Sequence, residues 1–129
     1  MWKRRKSDVH SHNSAEKVLG HHNTAFTEFK GALAEQYVLQ ELMAAGRVKL
    51  YYFTTEKSAY EVDFLYQDRS DVIPVEVKAE TNLRAKSLKY YVEKYKPRYA
   101  VRISMSSYIK QDWLINVPLY AASCLPDVE

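Results

Sequence analysis

The sequence contains a single cysteine, Cys124, and this scarcity excludes an internal disulfide. It also favours a reducing compartment, and we expect the cytoplasm. Only three glycines and four prolines occur, while 47% of the residues are hydrophobic, so the composition is that of a folded chain and not of a disordered one. No apolar run reaches the length of about 18 residues that a membrane helix needs, so we expect no membrane span. No apolar segment follows the basic start MWKRRKS, so we expect no secretory signal.

The 129 residues suit one domain, and we expect an N-terminal arm before it. Residues 1–23 are polar and basic with weak periodicity, and we interpret them as a flexible arm, with residues 24–129 as the folded domain. The arm contains all four histidines, which are His10, His12, His21 and His22. Imidazoles are common metal ligands, so a metal site is the alternative, but the lack of cysteines and of a firm scaffold favours a flexible polar arm. The net charge of +3 permits a nucleic-acid partner without requiring one.

Hydrophobic periodicity predicts the element order α-β-β-β-α-β-β and an α/β fold, in which two helices flank a mixed sheet. Gly46 would end the first helix and Pro97 the second, which would bury Leu88, Val92 and Tyr95. The helices are predicted at residues 24–45 and 84–96, and the strands at 48–55, 61–67, 71–79, 98–106 and 113–123.

Charged residues interrupt the two strand-like runs EVDFLYQ and DVIPVEVKA. A two-residue turn at Arg69 and Ser70, or a four-residue turn from Asp68 to Asp71, would place Asp63 opposite Glu76, with Glu76 and Lys78 on one face of the sheet. Opposed carboxylates with Cβ atoms roughly 4.5–5.5 Å apart repel, unless a divalent cation binds, one carboxylate is protonated or Lys78 compensates. A three-residue turn would move Asp63 away from Glu76 and remove the pairing.

Two further residues bear on this hairpin. Pro74 cannot donate to a ladder, so it predicts a sheet edge or a bulge near the charged residues. Glu35 has small or apolar residues at three and four positions on either side along the predicted helix, which is an unusual setting for a carboxylate.

An acidic residue on one strand followed by E-x-K on the next, as in VDF and VEVK, resembles the PD-(D/E)XK nuclease-like superfamily. The resemblance implies a restriction-endonuclease-like αβββαβ core and a Mg²⁺ or Mn²⁺ site held by Asp63, Glu76 and the Val77 carbonyl. A glutamate on the preceding helix often joins such sites, and Glu35 stands at the matching position. The implied activity is hydrolysis of DNA phosphodiesters, with Asp63, Glu76 and Lys78 as catalytic residues and Lys78 acting on water or phosphate.

Longer strings between residues 26 and 122, among them FKGALAEQYVLQEL and KSLKYYVEKYKPRYAVRIS, resemble the C-terminal domain of an AAA-type ATPase family of bacteria and archaea. That domain is of unknown function, and nuclease-like folds also serve as binding modules. A non-catalytic module that binds DNA or protein is therefore the alternative, with an ATPase domain or a second copy of the chain as partner. The G-x-x-x-x-G-K-[ST] phosphate loop does not occur here, so we expect a detached C-terminal domain that is not an ATPase by itself.

The second predicted helix and its flanks are basic and contain the adjacent tyrosines Tyr90 and Tyr91. Basic groups interleaved with aromatic rings suit phosphate contact and base stacking, although a solvated helix face would carry the same charges. The candidate DNA-binding residues are Arg84, Lys86, Lys89, Lys94, Lys96 and Arg98, and Arg102 extends this basic set.

Overall fold

A mixed α/β domain is built around one sheet in this computed structural model, which describes residues 2–4, 23–46, 49–79 and 85–125. Within these residues the sheet has seven strands, in the order β1-β2-β3-β4-β5-β7-β6. The strands are β1 Trp2–Arg4, β2 Tyr51–Thr54, β3 Glu61–Asp68, β4 Asp71–Lys78, β5 Ala100–Ser104, β6 Ile109–Lys110 and β7 Leu114–Pro118. The helices are α1 Asn23–Ala44 and α2 Lys86–Tyr95, and a 3-10 turn, Leu119–Ala121, follows β7. Neither helix is long and apolar enough to cross a membrane, as judged on the residues described.

Helix α1 covers one face of the sheet and matches the predicted helix to within a residue at each end. Its buried residues pack against the side chains of Phe64, Val75 and Ile103 in one apolar cluster. Gly46 follows the helix with φ +84°, a left-handed conformation that glycine adopts without steric cost and that ends helices. The residues of α1 in this cluster are Ala34, Val38, Leu39 and Leu42.

The β3–β4 hairpin has the predicted register, because Phe64 pairs with Val75 and Asp68 pairs with Asp71 around a two-residue loop. Arg69 takes φ 56° in that loop, as tight hairpin turns require. The Arg98 side chain closes the turn from outside, 3.0 Å from Asp68 and 3.4 Å from Asp71. Arg98 therefore lies at the turn end of the hairpin, away from the strand ends that carry Asp63 and Lys78.

Strand β4 is central in the sheet, with β3 antiparallel on one side and β5 parallel on the other. Pro74 therefore does not lie at an edge of the described sheet, whereas the predicted bulge near the charged residues occurs in the neighbouring strand β3, beside Leu65, which pairs with Pro74. The β4–β5 ladder begins with Val75 pairing with Val101, one residue after Pro74. A missing N–H is tolerated there because the parallel ladder has not yet started.

Helix α2 covers the other face, and its buried residues are Leu88 and Tyr91. The prediction that Tyr95 is buried was wrong, since Tyr95 is 39% exposed while Tyr91 is fully buried. Lys96 ends the helix in a left-handed conformation, with its N–H bonded to the Val92 carbonyl, and Pro97 follows.

The predicted arm is described only at residues 2–4, which form β1 and pair antiparallel with β2. The four histidines and the remainder of the arm lie outside the described residues.

Candidate functional site at the end of β3 and β4

Asp63 lies at an irregularity in strand β3. Tyr51 pairs with Leu65 but Phe53 pairs with Val62. The interval of two residues in β2 is therefore matched by an interval of three residues in β3, which is one extra residue. Such a bulge redirects a side chain locally. The Asp63 Oδ2 atom accepts a hydrogen bond of 2.7 Å from the backbone N–H of Val77. The carboxylate is therefore fixed against β4, next to the E-x-K segment.

Glu76 is buried at the same end of the hairpin, with 5% of its surface exposed. The Lys78 Nζ atom lies 3.2 Å from Glu76 Oε1, and the Lys78 side chain is 32% exposed. The second oxygen, Glu76 Oε2, is buried and has no hydrogen-bond partner among the described residues. A buried carboxylate oxygen without a donor is costly, so this oxygen points to a ligand or to a proton.

A polar row crosses the sheet beside Glu76. The parallel registers align Glu76 with Arg102 and Arg102 with Asn116 on three adjacent strands. Arg102 Nε donates to Asn116 Oδ1 at 3.0 Å, and Ser104 Oγ donates to the same oxygen at 2.7 Å. The Asn116 amide nitrogen donates to the carbonyl of Ser106 at 3.1 Å. A cation is therefore held in the sheet beside the buried Glu76.

The placement of Arg102 corrects its grouping with the basic surface, because Arg102 is only 9% exposed. Asn116 and Ser104 were missed altogether. A signal existed in the strand sequences AVRIS and LINVP, where polar residues stand at alternate positions between apolar ones. The parallel pairing that brings these positions together is non-local, so the pattern by itself did not show the row.

The electrostatics of Glu76 follow from this placement. Burial raises the pKa of Glu76 above its ordinary value of 4.5, and the charges of Lys78 and Arg102 oppose the rise without cancelling it. Burial also lowers the pKa of Arg102, while Glu76 opposes that shift. The cluster thus contains the Glu76 carboxylate, whose neutral form burial favours, beside the cations of Lys78 and Arg102.

A pH-dependent stability follows from the raised pKa of Glu76. The folded chain binds this proton more tightly than the unfolded chain, so the contribution is fully present below pH 4.5 and is lost as the pH rises through the folded pKa. The stability of wild type relative to Glu76→Gln should therefore fall as the pH rises from 4.5, by about 1.4 kcal/mol per unit of pKa shift. Urea denaturation followed by circular dichroism at several pH values measures the difference.

The control for this scan is Glu61→Gln, which removes an exposed carboxylate from the same end of β3. A difference between wild type and Glu76→Gln that is flat with pH would contradict the burial argument.

Glu35 and Val77 complete the predicted ligand set. The Val77 side chain belongs to the apolar cluster beneath α1, and side chains alternate along β4, so Glu76 projects to the opposite face. Glu35 is half-buried on α1 and thus belongs to the other side of the sheet from Glu76. Within residues 2–4, 23–46, 49–79 and 85–125, no three His, Cys, Asp or Glu side chains are grouped closely enough to hold a metal. The structure places Asp63 against the Val77 N–H and Lys78 against Glu76 at the same end of the hairpin.

The basic residues predicted to bind DNA are spread over α2 and its ends. Lys86, Lys89, Lys94 and Lys96 are exposed, and Lys89 lies 3.9 Å from Glu93. Arg84 lies outside the described residues. Of the two adjacent tyrosines, Tyr91 faces the core and Tyr90 is half-buried at the surface. Tyr90 and Tyr95, and not Tyr91, are therefore the tyrosines that share the outer surface of α2 with these lysines.

Fold and site together define a mixed α/β domain with an acidic and cationic cluster at the end of a central hairpin. Residues 30–121 match the family described as "Domain of unknown function (DUF4143)", which is most of the chain, so this protein belongs to that family. No curated protein and no solved structure matches the chain.

Proposed function

We propose that this chain is a nuclease-like domain with a restriction-endonuclease-like core, which hydrolyses DNA phosphodiesters with the help of Mg²⁺ or Mn²⁺. The element order α1-β2-β3-β4-α2-β5 and the parallel pairing of β5 with β4 support the αβββαβ arrangement that the resemblance implies. The observation that carries the proposal is the geometry at the hairpin end. Asp63 is bonded to Val77, and Glu76 beside it has one buried oxygen without a donor among the described residues.

The residues fit a hard divalent cation through their oxygen donors. The Glu76 Oε2 atom is a ligand oxygen that the described residues leave without a hydrogen-bond partner, and the Asp63 carboxylate is held against Val77 through the Val77 N–H. A cation bound between Asp63 and Glu76 would remove the repulsion between the two carboxylates and would favour the ionised form of Glu76. A bound ion would lower the pKa of a water and offset charge on the scissile phosphate. Participation of Glu35 as a fourth ligand, direct or through water, stays a prediction.

Lys78 and Arg102 have different roles in this proposal because their exposure differs. Lys78 is 32% exposed at its side chain, so its ammonium group can reach a phosphate at the surface while remaining 3.2 Å from Glu76. That position suits stabilisation of negative charge that develops on the phosphate or orientation of the attacking water. Arg102 is buried and bonded to Asn116, so it acts on the charge of Glu76 and does not touch the substrate.

The alternative function, a non-catalytic module of an ATPase that binds DNA or protein, has its own supporting observations. Lys78 already compensates one oxygen of Glu76, and the Val77 N–H already donates to Asp63. An apolar cavity of about 290 Å³ between Tyr37, Met105, Leu119 and Tyr120 also suits a protein partner. An ATPase domain or a second copy of this chain are the partners that the resemblance suggests.

Metal binding separates the two functions. At a concentration about one hundred times the dissociation constant, a ligand of the folded state adds about 2.7 kcal/mol to stability. Mn²⁺ should therefore raise the melting temperature of wild type by several degrees and leave that of Asp63→Asn and Glu76→Gln unchanged. Differential scanning calorimetry measures the shift, and Asp112→Asn, which removes an exposed carboxylate elsewhere, should respond as wild type does.

Cleavage is tested in the same buffers with Mn²⁺ on branched, flapped and single-stranded DNA. Wild type should cut at least one of these substrates, and Glu76→Gln none. Equal melting responses of wild type and Glu76→Gln, together with uncut DNA, would reject the nuclease and leave the binding module.

A further inference from the structure

A second cavity, of about 870 Å³, lies between α2, the end of β2 and the loop at residues 55–60. Its size is within the range of small-molecule pockets. Four aromatic rings and two lysines contribute to its lining, together with the single carboxylate Glu56. The rings and lysines are Phe53, Tyr60, Tyr90, Tyr95, Lys57 and Lys94.

The aromatic wall is ordered by its own packing. The rings of Tyr60 and Tyr90 stack with centroids 4.1 Å apart and an interplanar angle of 3°. Tyr95 meets Phe53 edge to face, with centroids 5.7 Å apart. Such contacts stabilise ring positions beyond the burial of their area. The pocket thus presents fixed π surfaces, and Tyr95 remains 39% exposed.

Hydrogen bonds hold the loop that closes the pocket. The Thr55 N–H donates to the Tyr60 carbonyl at 3.1 Å, and the Tyr60 N–H donates to Thr55 Oγ1 at 3.2 Å. The Glu61 N–H donates to Ser87 Oγ at 3.2 Å, which joins the loop to α2. A pocket formed before its ligand arrives spends little free energy on ordering.

The positive charges of the lysines near these rings indicate which charge a ligand of the pocket should have. Lys86 Nζ lies 5.3 Å from the centroid of Tyr60, and Lys94 Nζ lies 5.4 Å from that of Tyr95, so ammonium groups already occupy the cation positions over these rings. A cationic ligand would meet their repulsion. Lys57 and Lys94 outnumber Glu56 in the lining, and Lys86 adds a further positive charge beside Tyr60, so an anion with a flat unsaturated face suits the pocket better.

The pocket and the Asp63–Glu76–Lys78 cluster share one end of the hairpin. Tyr60 precedes Asp63 by three residues, which corresponds to roughly 10 Å of strand at about 3.3 Å per residue. Both lie on the side of the sheet that α2 covers, since Glu76 projects away from α1 and Tyr60 stacks on Tyr90 of α2. A strand of nucleic acid held at the pocket would therefore pass close to Lys78.

We propose that this pocket is a binding subsite for an unpaired nucleotide of single-stranded DNA, with the base packed on the exposed part of Tyr95 and the phosphates held by Lys57 and Lys94. This inference rests on the proposed function, because it names single-stranded DNA as the substrate of the proposed nuclease site. Stacking on fixed rings accepts every base, so the subsite selects unpaired strands and not a sequence. Duplex DNA keeps its bases stacked within the helix and cannot offer a ring to Tyr95.

The test is binding of fluorescently labelled oligo(dT) to the full chain by anisotropy with EDTA present, so that no metal-dependent cleavage occurs. Tyr95→Leu keeps apolar bulk against Phe53 but removes the ring face, and it should weaken binding by roughly 5- to 150-fold. Tyr95→Phe should restore wild-type affinity. Lys94→Gln should weaken binding and reduce its salt dependence by about one phosphate contact, whereas the exposed Lys110→Gln of β6 should leave both unchanged.

Two competitors, duplex DNA and free dTMP, offer the same bases and phosphates as oligo(dT) and test whether the pocket prefers a single strand. An oligo(dT) competitor should displace the probe far better than a duplex of equal length or free dTMP. Equal competition by the duplex would overturn the subsite, and so would competition by dTMP at the same nucleotide concentration. Unchanged affinity in Tyr95→Leu with an unchanged circular dichroism spectrum would overturn it as well.

Failure of the subsite and failure of the nuclease give different results. If Tyr95→Leu binds and cuts as wild type does, the subsite is wrong and the nuclease stands. If oligo(dT) binds in a Tyr95-dependent way and wild type cuts nothing, the subsite stands and the nuclease is wrong.

Discussion

Replacing Asn116 with alanine should lower the free energy of unfolding by about 3 kcal/mol, because it removes one buried acceptor of both the Arg102 guanidinium group and the Ser104 hydroxyl. Arg102 Nε and Ser104 Oγ both donate to Asn116 Oδ1, so one truncation removes two hydrogen bonds. The loss also releases the carbonyls of Ser106 and Ser107, which accept from the Asn116 amide. Urea denaturation of wild type and variant at neutral pH measures the change.

The double variant Arg102→Met with Asn116→Leu is the informative comparison. Removing both partners leaves no buried guanidinium group that has lost the Asn116 acceptor, so the double variant should recover part of the stability that Asn116→Ala loses. Gln111→Ala, at an exposed position in the turn before β7, should change stability by less than about 0.5 kcal/mol. A loss for Asn116→Ala as small as that of Gln111→Ala would show that the polar row is not held by Asn116.

The part of this site that lies on one hairpin was predictable from local chemistry. A short polar turn between two runs of β-forming residues fixes the register, and the register brings Asp63 and Glu76 to the same end of the strands. The bulge at Asp63 was not predictable, since it depends on how β3 pairs with β2 and not on the sequence of β3 itself. That bulge allows the Asp63 side chain to accept the Val77 N–H.

The part of the site that lies on other strands needed the tertiary structure. Arg102 and Lys96 have the same charge in the sequence, yet one is buried beside Glu76 and the other is exposed after α2. Only the parallel pairing of β5 with β4 and β7 distinguishes them. The buried face of α2 was misassigned for a related reason, because Tyr91 and Tyr95 are both aromatic and the sequence pattern allows either to face the core.

Aromatic placement also explains how the nucleotide subsite escaped prediction. Tyr60 stands in a turn between β2 and β3, and its distance in sequence from Tyr90 conceals their stacking. Basic residues near tyrosines indicated contact with nucleic acid, but which rings share a pocket with which lysines depends on how the loop at residues 55–60 packs on α2.

Replacing Lys78 with alanine should reduce cleavage of the preferred DNA substrate by roughly 100- to 1,000-fold, the usual cost of losing one group that stabilises transition-state charge. The ammonium group lies 3.2 Å from Glu76 Oε1, and its charge lowers the pKa of Glu76. Its removal therefore has a second effect, which is a further rise in that pKa and weaker metal binding near neutral pH. Single-turnover cleavage with saturating Mn²⁺ separates the two effects, because saturation removes the difference in metal occupancy between the two proteins.

The control for this prediction is Lys110→Ala, which removes an exposed lysine from β6 at the far edge of the sheet. It should cut DNA at the wild-type rate. Lys78→Arg keeps a cation beside Glu76 and should retain the metal-induced rise in melting temperature, with a cleavage rate between those of wild type and Lys78→Ala, because a guanidinium group places its charge differently from an ammonium. Cleavage by Lys78→Ala at the wild-type rate under saturating metal would exclude Lys78 from the chemistry and leave it as the counter-ion of Glu76. The two cations beside Glu76 would then both be structural, and Asp63 and Glu76 alone would have to account for any phosphodiester hydrolysis by this domain.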